Sequence, residues 1–183
     1  MYNLVGDLMR VISGIYKGRN LNGFDIDGTR PTMDRVKESM FASIQSYIKD
    51  SVVLDLFAGS GSLGIEALSN GCSICYFVDN NKIAIDTINK NTFDINNKVI
   101  LNKDYKSALE HFKNNNIKFD LILLDPPYKN NLLNDAIKYI EEYDLLNKDG
   151  ILVCEYEVDD IKTNYELLKS KKYGFKYVNI YKK

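Results

Sequence analysis

The sequence predicts an α/β domain built on a mostly parallel, doubly wound sheet that ends in an antiparallel edge. Three observations lead there. Apolar runs at 52–57, 74–78, 99–101, 119–124 and 151–156 alternate with stretches of helical periodicity, the pattern of strands covered on both faces by crossover helices. A glycine loop, Gly59-Ser60-Gly61-Ser62-Leu63-Gly64, follows the first run. Near the C-terminus the alternation stops, and 165–173 and 175–181 flank Gly174 as the two strands of a tight hairpin. The expected sheet therefore has seven strands. At 183 residues without a linker or repeat, the chain fits one domain, 1–183.

Taken in order, residues 10–21 mix β-branched and aromatic side chains with Gly14 and Gly18, which suggests a short N-terminal hairpin, followed by a loop to Arg30. Residues 10–30 thus stand ahead of a core at 31–183. Pro31-Thr32 opens a helix: Thr32 caps it, Asp34 suits its first turn, and Met33, Val36, Met40, Ile44 and Tyr47 recur at helical spacing. Helices are expected at 62–68, 82–91, 105–112 and 132–143, between the strands they connect.

No apolar run reaches the length of a membrane span, and the first seven residues lack a basic and then apolar leader pattern, so a cytoplasmic protein without a membrane partner is expected. Cys72, Cys75 and Cys154 read as structural thiols. Cys72 and Cys75 have C-x-x-C spacing, but they fall in a strand with no second cluster to complete a metal site, so no metal is expected. His111, the single histidine, reads as a surface residue near a helix end, weak support for a His-dependent nucleophile. A net charge of −1 does not mark a nucleic-acid binder, but the distribution is uneven. All four arginines, Arg10, Arg19, Arg30 and Arg35, lie in the first 35 residues, where only five of the 24 basic positions fall. Their planar forks suit phosphates or base edges. The run from Lys169 to Lys183 contains no acidic residue and reads as a solvated face.

The chemistry gathers at strand ends, where doubly wound sheets bind ligands. Asp55, Asp79, Asp104 and Asp125 stand in or after four successive strands and should line one rim. Taken singly, each reads more readily as a turn or cap residue. The loop formally matches a dinucleotide fingerprint, but a carboxylate at Asp55 repels a pyrophosphate and welcomes a cation. S-adenosylmethionine carries an ammonium and a sulfonium. Asp55 would hold its amino group, Asp79 its ribose hydroxyls and Asp104 its adenine amine, with Gly59 and Gly61 passing close to the methionine part. After the fourth strand, Asp125-Pro126-Pro127-Tyr128 leaves the ladder rigidly, since neither proline has an N–H. Its plain reading is a proline turn. Its functional reading is a grip on a planar NH₂ group, with the Asp125 carboxylate and Pro126 carbonyl as acceptors and Tyr128 as a stacking face.

Leu54 to Leu68 together with Asp125-Pro126-Pro127-Tyr128 resembles a Rossmann-like class I S-adenosylmethionine-dependent N-methyltransferase. The blocks Ser13-Gly14-Ile15-Tyr16-Lys17-Gly18-Arg19 and Arg30-Pro31-Thr32-Met33-Asp34-Arg35-Val36 narrow the resemblance to the RsmD family, which methylates N2 of a guanine in small-subunit (16S) ribosomal RNA. The likeness runs from about Met9, so residues 1–8 read as an extension or a misassigned start. Ser13 and Lys17 replace the family's usual Gly and Arg, and Tyr128 its frequent Phe. The resemblance implies catalytic Asp125, Pro126, Pro127 and Tyr128, and a cofactor site that adds Phe57, Asn80, Tyr105, Arg30 and Thr32 to Asp55, Gly59, Gly61, Asp79 and Asp104. It also implies RNA contacts from Arg10, Lys17, Arg19 and Arg35, with 30–35 serving RNA, cofactor or both. The implied partner is 16S ribosomal RNA or a small-subunit assembly particle, met by a monomer. Competing readings are a DNA adenine-N6 methyltransferase, a glutamine-N5 methyltransferase, a non-catalytic cofactor-sensing RNA-binding module and, more remotely, a nicotinamide oxidoreductase.

Overall fold

The computed structural model describes residues 9–23, 34–127, 131–157 and 160–183. Strands β1 (Val52–Asp55), β2 (Ile74–Asp79), β3 (Lys98–Asn102), β4 (Phe119–Leu124) and β5 (Leu146–Tyr156) pair in parallel, while β6 (Glu166–Tyr173) and β7 (Lys176–Lys182) add an antiparallel edge. The seven-stranded order is β3-β2-β1-β4-β5-β7-β6. The chain moves outward from β1 in one direction and from β4 in the other, which opens a switch point between those two strands.

Both faces of the sheet are covered, which is why its strands are apolar on both sides. Helices α1 (Asp34–Ile44), α2 (Ser62–Ser69) and α3 (Lys82–Asn91) pack Met40, Phe41, Ile44, Ile65 and Ile88 against Val53, Phe77, Leu121 and Val153. Helices α4 (Tyr105–Asn114) and α5 (Leu132–Glu142) bring Leu109, Phe112, Ile137 and Ile140 to Leu54, Ile122 and Leu152 on the other face. All three cysteines are buried and free, as structural thiols should be. Among the described residues no helix is long and apolar enough to cross a membrane.

Element boundaries depart from the sequence expectation at two informative places. Strand β1 ends at Asp55 rather than at 57, although Leu56 N–H still reaches the Leu123 carbonyl. Gly59 and Gly61 have φ of 55° and 81°, so the chain must leave the ladder early to turn into α2. Strand β5 starts at Leu146, well before 151. Its first residues, Leu146 to Gly150, form an irregular segment in which the pairing moves from Phe119 with Leu146 to Leu121 with Ile151, and Asp149 takes φ 62°. Their polar composition looks like a turn, and a bulge accommodates it in the ladder. The expected Thr32 cap and the loop to Arg30 lie outside the described residues.

The N-terminal hairpin exists in condensed form. One antiparallel bridge joins Arg10 to Asn20, and Val11 N–H donates to the Arg19 carbonyl at 2.9 Å. The turn presses on the C-terminal end of α2, where Ile15 N–H reaches the Ser69 carbonyl at 2.8 Å. Only glycine fits at position 14: its φ is +77°, and a Cβ there would lie 1.9 Å from the Ser69 oxygen.

A buried ion pair fastens hairpin, α1 and α2 together. Glu66 in α2 is fully buried and accepts bonds from Ile12 N–H, Ser13 N–H and Ser13 Oγ at 2.8–2.9 Å. Lys37 of α1 lies 3.4 Å from it and donates to the Arg10 carbonyl and to Ser62 Oγ. Burial pushes the Lys37 ammonium below its ordinary pKa, and Glu66 opposes that shift. Removing one partner strands a buried charge, so Glu66→Ala should destabilise the protein by about 3–5 kcal/mol in urea unfolding at pH 7. The apolar double replacement Lys37→Met with Glu66→Leu should cost less than the sum of the two single replacements, since no charge is left unpaired, although the Ile12 and Ser13 amides still lose their acceptor.

Candidate active site

Because β1 to β5 are parallel, their C-terminal ends share one rim, and the four predicted carboxylates stand along it. The glycine loop begins there. Asp55 is 1% exposed and accepts the Gly64 N–H at 2.9 Å. Burial pushes its carboxyl up to about 7; the Gly64 bond opposes this, and the Asp79 charge adds to it. In the folded chain Asp55 therefore ties the first turn of α2 to β1, a bracing role that sequence reasoning did not assign to it.

Asp79, at the end of β2, takes Gly59 N–H on one oxygen at 2.9 Å and Asn81 N–H on the other at 2.8 Å. The same carboxylate thus orders the loop and the start of α3, with exposed Asn80 beside it. Gly61 sits at the N-cap of α2 and offers no side chain to cap it; Asp55 takes the Gly64 amide, which leaves the Ser62 and Leu63 amides without a side-chain cap.

Asp104 caps α4, accepting Lys106 N–H and Ser107 N–H at 3.1 Å and Ser107 Oγ at 2.5 Å. These bonds hold its carboxyl below the ordinary range. Tyr105 packs on Phe57 with ring centroids 5.6 Å apart, and its hydroxyl donates to Asp135 at 2.5 Å. Burial and Asp135 push the Tyr105 phenol up to about 12. Phe57 and Tyr105 form an apolar wall between the ends of β1 and β3.

Across the switch point, Asp125 follows β4 half-buried, Pro126 is buried and Pro127 exposed. Tyr128 lies outside the described residues, as do Arg30 and Thr32. Leu123 pairs with Asp55 and Leu124 with Cys154, so Asp125 stands beside Glu155 in the rim. Leu121 and Leu123 face the α1–α3 side, and strand alternation carries Asp125 to that side with Asp55. Glu155 is fully buried and paired with Lys176 of β7. Its sequence signal was only an acid at the end of an apolar strand.

The N-terminal cations are partly engaged. Arg19 grips Asp94 with both terminal nitrogens at 2.7 and 2.6 Å, and its guanidinium lies 4.4 Å from the Tyr16 ring centroid. It braces the hairpin against the segment after α3, so a phosphate there must compete with Asp94. Arg10 Nε meets Asp34 at 3.0 Å on the surface. Lys17 and Arg35 are exposed. Among the described residues no three His, Cys, Asp or Glu side chains are grouped to hold a metal ion.

The parallel sheet with its antiparallel edge, the glycine loop at the first strand end and the acidic rim define a class I methyltransferase fold. Residues 9–182 match the family model described as conserved hypothetical protein 95. The chain is 43% identical over 182 residues to YlbH of Bacillus subtilis, covering 96% of this chain and 99% of that protein. It is 35% identical over 182 residues to ribosomal RNA small subunit methyltransferase D of Haemophilus influenzae, covering 94% and 93% of the two chains. Among solved structures, yhhF of Escherichia coli superposes with a TM-score of 0.86 at 29% identity, over 96% of this chain and 98% of that one. The chain belongs to the conserved hypothetical protein 95 family, which is that of the ribosomal RNA small subunit methyltransferase D proteins.

The raised pKa of Asp55 has a definite pH signature. Below about pH 4 the carboxyl is protonated in folded and unfolded chains alike. Between there and about pH 7 the folded chain keeps a proton that the unfolded chain has lost, so this group's contribution to stability falls as pH rises. Asp94, Asp104, Asp135, Asp144 and Asp149 are shifted downward, and their opposite slopes lie at lower pH. Asp55→Asn should therefore flatten the decline between pH 4 and 7, read from urea midpoints across that window.

Proposed function

We propose that this protein transfers a methyl group from S-adenosylmethionine to the exocyclic N2 amine of a guanine in small-subunit ribosomal RNA. The observation that carries the reading is the joining of two half-sites at one switch point: the loop ordered by Asp55 and Asp79 at the ends of β1 and β2, and Asp125-Pro126 beside them after β4. The names of the related methyltransferases support ribosomal RNA as the substrate.

The residues present fit the cofactor. The positive-φ glycines let a ligand approach the backbone, the Ser62 and Leu63 amides at the start of α2 carry no side-chain cap, and Asp79 presents two oxygens to a pair of hydroxyls. Asp55 attracts a cation through the loop it braces. Phe57 and Tyr105 flank the adenine, whose amine Asp104 accepts with the capacity its capping bonds leave. Asn80 adds a polar contact, and the cofactor site includes Arg30 and Thr32 by family resemblance. When bound, S-adenosylmethionine supplies an electrophilic methyl on sulfonium.

Asp125 and the Pro126 carbonyl accept the two N–H bonds of the guanine amine, which points its lone pair along the line of attack. As the new bond forms, positive charge grows on nitrogen and Asp125 stabilises it. The carbon–nitrogen bond would form as the methyl–sulfur bond breaks and the neutral thioether leaves; the amine proton turns acidic only then and passes to solvent, so no strong base is needed. Pro127 stiffens the turn, and Tyr128 stacks on the base, which must be unpaired or flipped to reach the site. Arg10, Lys17, Arg19 and Arg35 of the N-terminal hairpin and α1 meet RNA phosphates, Arg19 by exchange with Asp94. The protein acts in the cytoplasm as a monomer, on the RNA or on an assembling particle.

Incubation with small-subunit RNA or particles and labelled cofactor, followed by digestion to nucleosides, should yield N2-methylguanosine; N6-methyladenine, or no product, would exclude the proposal. Asp125→Ala should lower turnover about 10²–10³-fold while keeping cofactor affinity. Asp79→Ala should weaken cofactor binding by calorimetry. The opposite pattern would exchange the two roles.

A further inference from the structure

The acid-free run from Lys169 to Lys183 divides in two once folded. At the far end of the sheet Lys182 pairs with Asp149, and Lys183 with Asp144, so those charges are met within the protein. At the near end the arrangement differs. Strand β7 runs antiparallel to β5, with Tyr177 opposite Tyr156, and β6 pairs Lys172 with Tyr177 and Tyr173 with Lys176. The turn between β6 and β7 therefore projects from the same rim as Asp125. It lies two to three strand positions from β4, roughly 10–14 Å at ordinary strand spacing.

The side chains there suit a polyanion with exposed bases. Lys169 and Lys172 are exposed and make no ion pair among the described residues. Lys172 lies 5.0 Å from the Tyr177 ring centroid, and Tyr177 in turn stacks on Tyr156 at 5.3 Å with 20° between planes. Phe175, next to Gly174 at the tip, is 87% exposed. On the other face Lys171 Nζ and the Tyr173 hydroxyl both bond Ser39 Oγ, which fixes the hairpin to α1, the helix whose first turn carries Arg35. Lysines without an ion pair among the described residues, beside an 87% exposed aromatic ring, are the pairing that binds single-stranded nucleic acid.

We infer that the β6–β7 hairpin is a second RNA-contacting element, in which Lys169 and Lys172 hold phosphates and Phe175 stacks on a base near the acceptor nucleotide. Lys169 lies with Lys171 and Tyr173 on the α1 side and Lys172 with Tyr177 and Tyr156 on the opposite side, so the RNA would cross the hairpin at its tip, where Phe175 stands, and reach the N-terminal hairpin and α1 from there. The inference rests on the RNA substrate proposed above.

Binding of protein-free small-subunit RNA should be measured by fluorescence anisotropy across a salt series. For Lys169→Gln with Lys172→Gln, affinity should fall and the slope of log affinity against log salt should shrink by roughly 1.4 to 1.8. Phe175→Ala should lose affinity about tenfold with little change in slope. Cofactor affinity should stay at the level of the unmodified protein in both. Unchanged affinity and slope would overturn the inference. Should either variant fail to fold, amide exchange on the unmodified protein decides: RNA must protect 170–177, and absence of protection overturns the proposal. Protection by an assembled particle but not by free RNA would assign the hairpin to a protein neighbour and overturn it as well. If the unmodified protein forms no methylated nucleoside, the substrate reading fails; if it does and the hairpin variants bind like it, this inference alone fails.

Discussion

Helix α2 touches the sheet so closely that position 64 has no room for a side chain: a Cβ there would lie 2.3 Å from Phe77 Cε1 and 2.8 Å from Cys75 Sγ. Much of the structure follows from that approach. It brings the Gly64 N–H within reach of Asp55, which ties the helix to β1, and it shortens the turn so that Gly59 and Gly61 must take positive φ. The same helix carries Glu66 into the interior, where it can be tolerated only because Lys37 and two backbone amides meet it. One packing constraint thus sets both the ligand loop and the mounting of the N-terminal hairpin.

The carboxylates of the rim carry unequal structural duties. Asp79 and Asp104 each order a backbone turn, and Asp55 is withdrawn beneath the loop. Carboxylates held this firmly are preorganised: a ligand meets charges that need no rearrangement, which is how such groups act most strongly. The Glu155–Lys176 pair extends the pattern to the acceptor side, placing a buried, compensated charge next to Asp125. The rim is therefore negative without carrying a run of uncompensated buried charges.

The cations follow a complementary division. Arg19, the clearest phosphate candidate by residue type, is engaged by Asp94, while lysines that composition alone assigned to a solvated face stand near the acceptor side of the rim. Residue chemistry says which side chains suit a phosphate or a base. Which of them are open to a partner depends on which acidic side chains the fold brings near, and Asp94 lies 75 residues from Arg19.

By itself the sequence determined the alternation of strands and helices, the antiparallel edge, the glycine loop and the positions of Asp55, Asp79, Asp104 and Asp125 at strand ends. These are written in local signals: apolar periodicity, glycine spacing and an acid after an apolar run. The tertiary structure decided what each polar group faces. The order β3-β2-β1-β4-β5-β7-β6 placed Asp125 beside β1 and the last hairpin on the same rim. Lys37 and Glu66, ordinary helix residues in the sequence, became a buried pair only through the crossing of α1 and α2. Asp104 proved to be a helix cap, and the early end of β1 and early start of β5 came from a turn and a bulge. Burial and partnership are long-range properties, fixed by which elements pack together, and no window along the chain contains them.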